Sequence, residues 1–147
     1  MTGRIEVSTP GRGFTEITSE LRQSLRSSGV QTGLLHVFIR HTSASLLLTE
    51  NADPDVRHDL ETFISRLAPD GDPAYIHSAE GPDDMPAHIR SVLTSSELSL
   101  PVRDGHLALG TWQGVYLWEH RHRPHRRVLD ITILGSQAGA GKQDALV

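Results

Sequence analysis

The sequence predicts an α+β domain, because strand-like and helix-like segments interleave along 147 residues and an Asp104-Gly105 pair marks an antiparallel hairpin among them. Arg4 to Ser8 alternates as a short strand, and the turn cluster Pro10, Gly11 and Gly13 leads to a second extended piece at Phe14 to Ile17. Thr18 suits an N-cap. Leu21 and Leu25 lie one helical turn apart and Gly29 is placed to stop the segment, so a short helix is expected over Ser19 to Ser28. Gly33 to Arg40 is apolar on both faces, as in a central strand covered on each side, with His41 at its end. Leu46 to Leu48 is a further strand. Asp53-Pro54 then supplies a cap and a first-turn proline to a helix in which Val56, Leu60, Phe63, Ile64 and Leu67 keep helical spacing up to Pro69. Tyr75 to His77 reads as extended, and Pro86 to Thr94 as a third helix capped by Asp83 or Asp84. The Asp104-Gly105 turn joins Leu98 to Arg103 with His106 to Leu109, and strands follow at Val115 to His120 and Arg127 to Leu134. Residues 1–135 form one domain in this reading, and 136–147, small and polar, a disordered tail.

Composition narrows the function. There is no cysteine, which removes disulfides, thiolate metal sites and a cysteine nucleophile. No apolar run has the length of a signal core or a membrane span, so the expected location is cytoplasmic, with no membrane partner. The net charge of −4 argues against a nucleic-acid partner, which calls for a basic face. Nine histidines are the oddity, since imidazole is both a metal ligand and a neutral-pH acid or base.

Several motifs admit more than one reading. The tail's GAGK departs from a phosphate loop in spacing and context, and Ser43 and Ser45 near His41 have only proximity to suggest a serine hydrolase. The basic run EHRHRPHRR, Glu119 to Arg127, is either a solvated hairpin around Pro124 or a phosphate clamp of arginine forks. His77 and His88 flank Glu80, Asp83 and Asp84. Chain reversal there would pair two imidazoles with a carboxylate, a set suited to zinc or a similar divalent metal, or equally to histidines satisfied by their neighbours. Gly110 to Gly114 (GTWQG) offers either a ligand-facing bulge or a twisted strand with a core tryptophan.

Taken in order, HTSASL (His41 to Leu46), ENADPDVRHDLE (Glu50 to Glu61), EGPDDMPAHI (Glu80 to Ile89), GTWQG and EHR (Glu119 to Arg121) closely resemble the YjbQ family, and the resemblance runs from Arg12 to Gly135. It implies a YjbQ-like mixed or antiparallel β-sandwich with about three short helices, assembled as a cyclic homotrimer with polar sites near the subunit interfaces. It also implies a weak, secondary thiamine-phosphate synthase activity, in which a hydroxymethylpyrimidine diphosphate joins a thiazole phosphate with loss of pyrophosphate. Carried over by position, His41, His77 and His88 are the expected metal ligands, and Glu50 and Gln113 the expected catalytic groups. Thr42, Ser43, Asn51, Thr111, Trp112 and Arg121 are expected to bind ligand in the same pocket, while Asp53 is structural as an N-cap. Two positions depart from the family pattern: Ser78 follows His77 where Asp is common, and Thr49 precedes Glu50 where Asn is usual. If that Asp orients the histidine, its loss lowers metal affinity about ten- to a hundredfold.

Two functions of different kind follow. One is an enzyme in which a divalent cation and backbone donors neutralise a phosphorylated metabolite. The other is a non-catalytic trimeric protein that binds the metal or the phosphometabolite without turnover.

Overall fold

The computed structural model describes residues 1–139. In chain order the elements are β1 (Thr2–Thr9), β2 (Gly13–Glu16), α1 (Thr18–Ser28), β3 (Val30–Ile39), β4 (Ala44–Glu50), α2 (Pro54–Leu67), α3 (Asp84–Leu93), β5 (Glu97–Arg103), β6 (His106–Leu107), β7 (Gln113–Glu119) and β8 (His125–Gln137). They form an antiparallel five-stranded sheet in the order β1-β8-β3-β5-β6 and an antiparallel three-stranded sheet in the order β2-β7-β4. The α+β class and the three helices stand as expected.

The sheets meet because alternate residues of each are apolar. Leu35, Val37 and Ile39 of β3 and Leu129, Ile131 and Ile133 of β8 pack with Leu46, Val115 and Leu117 of the smaller sheet, and Leu21 and Leu25 of α1 complete the same core. The small sheet is covered on its second face too. Tyr116 and Trp118, which alternate with the core residues of β7, are buried there, where Trp118 Nε1 donates to Glu61 and the Tyr116 hydroxyl accepts from Arg57, both of α2. α3 is tied to the same helix by fully buried Arg90, which donates to Glu61 Oε1 at 2.5 Å and to Ser65 Oγ at 3.0 Å. The three-stranded sheet is therefore a middle layer between the five-stranded sheet and these two helices.

Local details differ from the sequence reading. Thr18 is the first residue of α1, not its cap. Its hydroxyl accepts the Val115 N–H and donates to Glu16, which binds the helix to β7 in place of closing its end. Asp53 caps α2 as expected, accepting the Asp55 N–H at 2.9 Å. Asp83 holds the N-cap position of α3, yet its carboxylate makes no cap bond and turns to Arg121 and His122. Tyr75 to His77 is loop: Asp72 accepts the Ala74 N–H beside Pro73, folding the segment back before a strand can form. The segment around Pro124 is not a hairpin turn, because it carries the chain from β7 in one sheet to β8 in the other. β8 also continues past Gly135, pairing Ser136 with Thr32 and Gln137 with Val30, so the domain extends beyond residue 135. The remainder of the expected tail, 140–147, lies outside the described residues.

Candidate metal centre and its buried support

The end of β3, the start of β4, the end of β7 and the start of β8 lie together, because β4 pairs with β7 from Ala44 opposite Glu119 and β3 pairs with β8 near Ile39 and Leu129. The N-terminal half of α3 packs over this corner, where the His88 Nδ1–H donates to the Thr42 carbonyl at 3.0 Å. Asp84 and His88 are four residues apart on α3 and so share one face. The loop before the helix brings His77 to the same place.

His77, Asp84 and His88 present ligand atoms within 4.8 Å of one another, the one group of this kind found among the described residues. One carboxylate oxygen serves both histidines: Asp84 Oδ2 lies 2.7 Å from His77 Nε2 and 3.3 Å from His88 Nε2. The other, Oδ1, accepts from Arg121 at 2.7 Å. Asp84 is 1% exposed and burial alone would raise its pKa, but the His77 hydrogen bond and the charges of His88 and Arg121 outweigh that and hold it below the usual range. It is ionised at neutral pH. Because a carbonyl can only accept, the bond to Thr42 fixes the proton of neutral His88 on Nδ1. The Nε2 lone pair then faces a carboxylate oxygen at 3.3 Å, an arrangement that calls for a cation between them, either a proton or a metal ion.

Behind this triad is a buried polar layer. Glu119 is 0% exposed and accepts from Arg127 at 2.8 Å and 2.5 Å and from the Thr9 hydroxyl at 2.7 Å. Burial raises its pKa, and the Arg127 and Thr9 bonds more than reverse the effect, leaving it lowered. Arg127 also donates to the Ser43 hydroxyl and carbonyl. His120, likewise 0% exposed, shares a 2.8 Å hydrogen bond with Ser45, while its Nδ1 has no partner. Burial first, then the cations Arg90, Arg12 and Arg127, lower its pKa to about 3. The network welds β1, β4, β7 and β8 beneath the triad. Arg127→Lys is expected to cost about 2 kcal/mol in urea unfolding, since lysine keeps the charge but cannot span both carboxylate oxygens and Ser43; unchanged stability would show that the fork is dispensable.

The expected site residues divide. His77 and His88 come together as anticipated, but His41 stands outside the group and Asp84 takes its place. His41 Nε2 accepts the Val128 N–H at 2.8 Å, which puts the ring proton on Nδ1, and Nδ1 lies 3.4 Å from the Arg127 guanidinium, donor facing donor, so neither ring nitrogen is presented to the triad. It still lines, with Thr42 and His88, a recess of about 460 Å³ beside α3. Ser43 is 9% exposed and bound to Arg127, which makes it support for the corner and not a ligand-facing hydroxyl. Arg121 spreads its fork over Asp83, Asp84 and the Glu80 carbonyl, so it organises the acidic loop and is not free to clamp phosphate.

Glu50, Asn51, Thr111, Trp112 and Gln113 do not share this pocket. Glu50 pairs with Gln113 at the opposite end of the ladder that begins with Ala44 and Glu119, six residues or roughly 20 Å away at strand rise. There Glu50 accepts the Asp53 N–H, Gln113 Oε1 accepts the Gly110 N–H, and the Asn51 N–H donates to the Trp112 carbonyl. The Trp112 indole is 62% exposed, not a core residue. The sequence offers Asp84 as a possible helix cap and as one of three acidic residues between the histidines, and does not single it out for the site. The signal was the Asp-x-x-x-His spacing at the start of a helix.

No helix among the described residues is long and apolar enough to cross a membrane. Compared with known proteins, residues 3–136 match the family model described as UPF0047 protein YjbQ-like. A UPF0047 protein of Synechocystis sp. is 51% identical over 129 residues, 88% of each chain. UPF0047 protein YjbQ of Escherichia coli O157:H7 is 47% identical over 127 residues, 85% of this chain and 91% of that one. Among solved structures, a conserved hypothetical protein of Thermus thermophilus superposes with a TM-score of 0.81 at 38% identity, covering 90% of this chain and 99% of that chain. A hypothetical protein of Aeropyrum pernix gives 0.84 at 29%, covering 92% and 99%. With the family model spanning both sheets, the triad and the buried layer behind it, the chain belongs to the YjbQ-like UPF0047 family.

Proposed function

We propose that this protein is a metal-dependent enzyme acting on a phosphorylated small molecule, with His77, Asp84 and His88 holding a divalent cation of the zinc type. The observation that carries the reading is the convergence of His77, Asp84 and His88, whose ligand atoms lie within 4.8 Å of one another around one carboxylate oxygen of the ionised Asp84. Two imidazoles and one carboxylate leave room for a further ligand, and a cation so held neutralises phosphate charge during group transfer. Thiamine-phosphate synthesis, weak and secondary, is the activity to assay first. A cytoplasmic homotrimer is part of the same reading. In a closed ring, the Glu50 and Gln113 end of one subunit could face the triad of the next, which would reunite groups that one chain holds apart.

The second reading, a non-catalytic binder of metal or phosphometabolite, draws its support from that separation, since within one chain the triad lacks both Glu50 and Gln113. The test uses wild type, His88→Ala and Gln113→Ala, each confirmed by light scattering to keep the same oligomer. With a divalent cation, wild type is expected to form thiamine phosphate slowly from its two phosphorylated halves and His88→Ala to fall to the no-protein level. A shared interface site predicts that subunits of the two variants, mixed and reassembled, recover part of the activity. No product from wild type, or full activity in His88→Ala, removes the enzyme reading and leaves the binding protein.

A further inference from the structure

We propose that the cleft between the C-terminal half of α1 and the β5–β6 turn is a second anion site, separate from the histidine centre, that takes a phosphate monoester on a small apolar body. The cleft holds about 240 Å³ and is lined by Arg22, Leu25, Arg26, Gly105, His106 and Leu107. None of these is acidic, on a chain whose net charge is −4. Most arginines elsewhere are matched: Arg4, Arg12, Arg40, Arg90, Arg121, Arg126 and Arg127 all lie in ion-pair contact with carboxylates. Arg22 and Arg26 have no such partner among the described residues, and they stand one turn apart over the concavity.

Arg26, in the last turn of α1, favours the helix dipole, but Arg22 one turn before it repels it by a few tenths of a kcal/mol, so the pair as a pair does not serve the helix. An anion between them reverses the sign, since two guanidinium forks match the oxygens of a phosphate dianion. His106 walls the cleft. Its Nδ1–H donates to the Asp104 carbonyl at 2.7 Å, which holds the ring in place and leaves anion recognition to the two guanidinium forks. The floor is apolar, Leu25 being 2% exposed and Leu107 7%, so a ligand with a carbon body buries surface there that inorganic phosphate does not.

The test is a ¹⁵N–¹H titration of the full chain with phenyl phosphate, and with inorganic phosphate in parallel. Shifts are expected at the amides of Gly105, His106 and Leu107, with phenyl phosphate the tighter of the two. Arg22→Gln combined with Arg26→Gln is expected to weaken binding at least about tenfold, and Arg66→Gln to leave it unchanged. His77→Ala with His88→Ala should also leave these shifts intact, which separates failure here from failure of the metal centre. Absence of shifts at the three amides, or an unchanged Kd in the double arginine variant, overturns the site. Equal binding of the two probes overturns the ligand class.

Discussion

Urea unfolding measured at a series of pH values is expected to show stability falling from about pH 6.5 downward, well before the carboxylates titrate. The cause is His120. Its pKa is about 3 in the folded protein, against the ordinary 6.5 that an unfolded chain restores. Below 6.5 the unfolded state gains a proton that the folded state does not take up. The stabilisation from keeping the ring neutral is therefore complete above pH 6.5 and is lost progressively as pH falls to about 3. One proton is worth about 1.4 kcal/mol per pH unit. Over that window the loss reaches about 5 kcal/mol, the low end of the roughly 5–15 kcal/mol that holds an ordinary domain folded. His41, lowered by burial and by Arg127, acts with the same sign, so the wild-type slope should lie between one and two protons. Glu119 and Asp84, whose pKa values are also lowered, add their losses only below the ordinary carboxylate range. His120→Gln keeps a hydrogen-bonding partner for Ser45 but cannot titrate, and its slope between pH 6.5 and 5 should be smaller by about one proton. The same slope in both proteins would mean that His120 is hydrated and titrates normally.

That buried layer is also where the sequence was least legible. Alternation and turn chemistry were enough to place β1, β3, the Asp104-Gly105 hairpin and β8, and the Asp53-Pro54 pair located α2, because those signals are local. Glu119, His120 and Arg127 sit in a run that reads as exposed charge, and only the long-range pairing of β7 with β4 and of β8 with β1 turns three of its side chains inward. The position of Glu50 and Gln113 was hidden for the same reason. Motifs adjacent in a family pattern need not be adjacent in space, and antiparallel pairing with Ala44 opposite Glu119 sends the GTWQG segment to the far end of the ladder. Tyr75 to His77 failed differently. Its composition suits a strand, but no neighbouring strand is available, and the Asp72 turn together with Arg121 on Glu80, Asp83 and Asp84 holds the loop in another course. The triad was partly legible: its two imidazoles were identifiable by type, whereas the place of Asp84 between them, and of His41 outside them, depends on the packing of α3 and on the Val128 N–H that occupies His41 Nε2.

Asp84→Asn is expected to abolish high-affinity zinc binding, with at least about a hundredfold loss by calorimetry, because even partners one step removed from a metal change affinity ten- to a hundredfold. The substitution keeps the side chain's size and one carbonyl oxygen, so the packing of a residue that is 1% exposed is disturbed little. What disappears is the negative charge that both histidines and Arg121 share. Without it, two imidazoles and a neutral amide offer a divalent cation no charge compensation, beside an arginine that repels it. The amide cannot satisfy all three partners either, so some loss of thermal stability should accompany the change, and far-ultraviolet circular dichroism must confirm that the fold is retained. His41→Ala supplies the contrast. Since His41 Nε2 is taken by the Val128 N–H and its Nδ1 faces Arg127, its removal should leave zinc affinity essentially unchanged while lowering stability at the β3–β8 corner. Zinc binding by Asp84→Asn at wild-type affinity would dismantle the centre proposed here. If His41→Ala instead releases the metal as completely as His88→Ala, the ring must leave Val128 to join the site, and the ligand set becomes the three histidines in place of His77, Asp84 and His88.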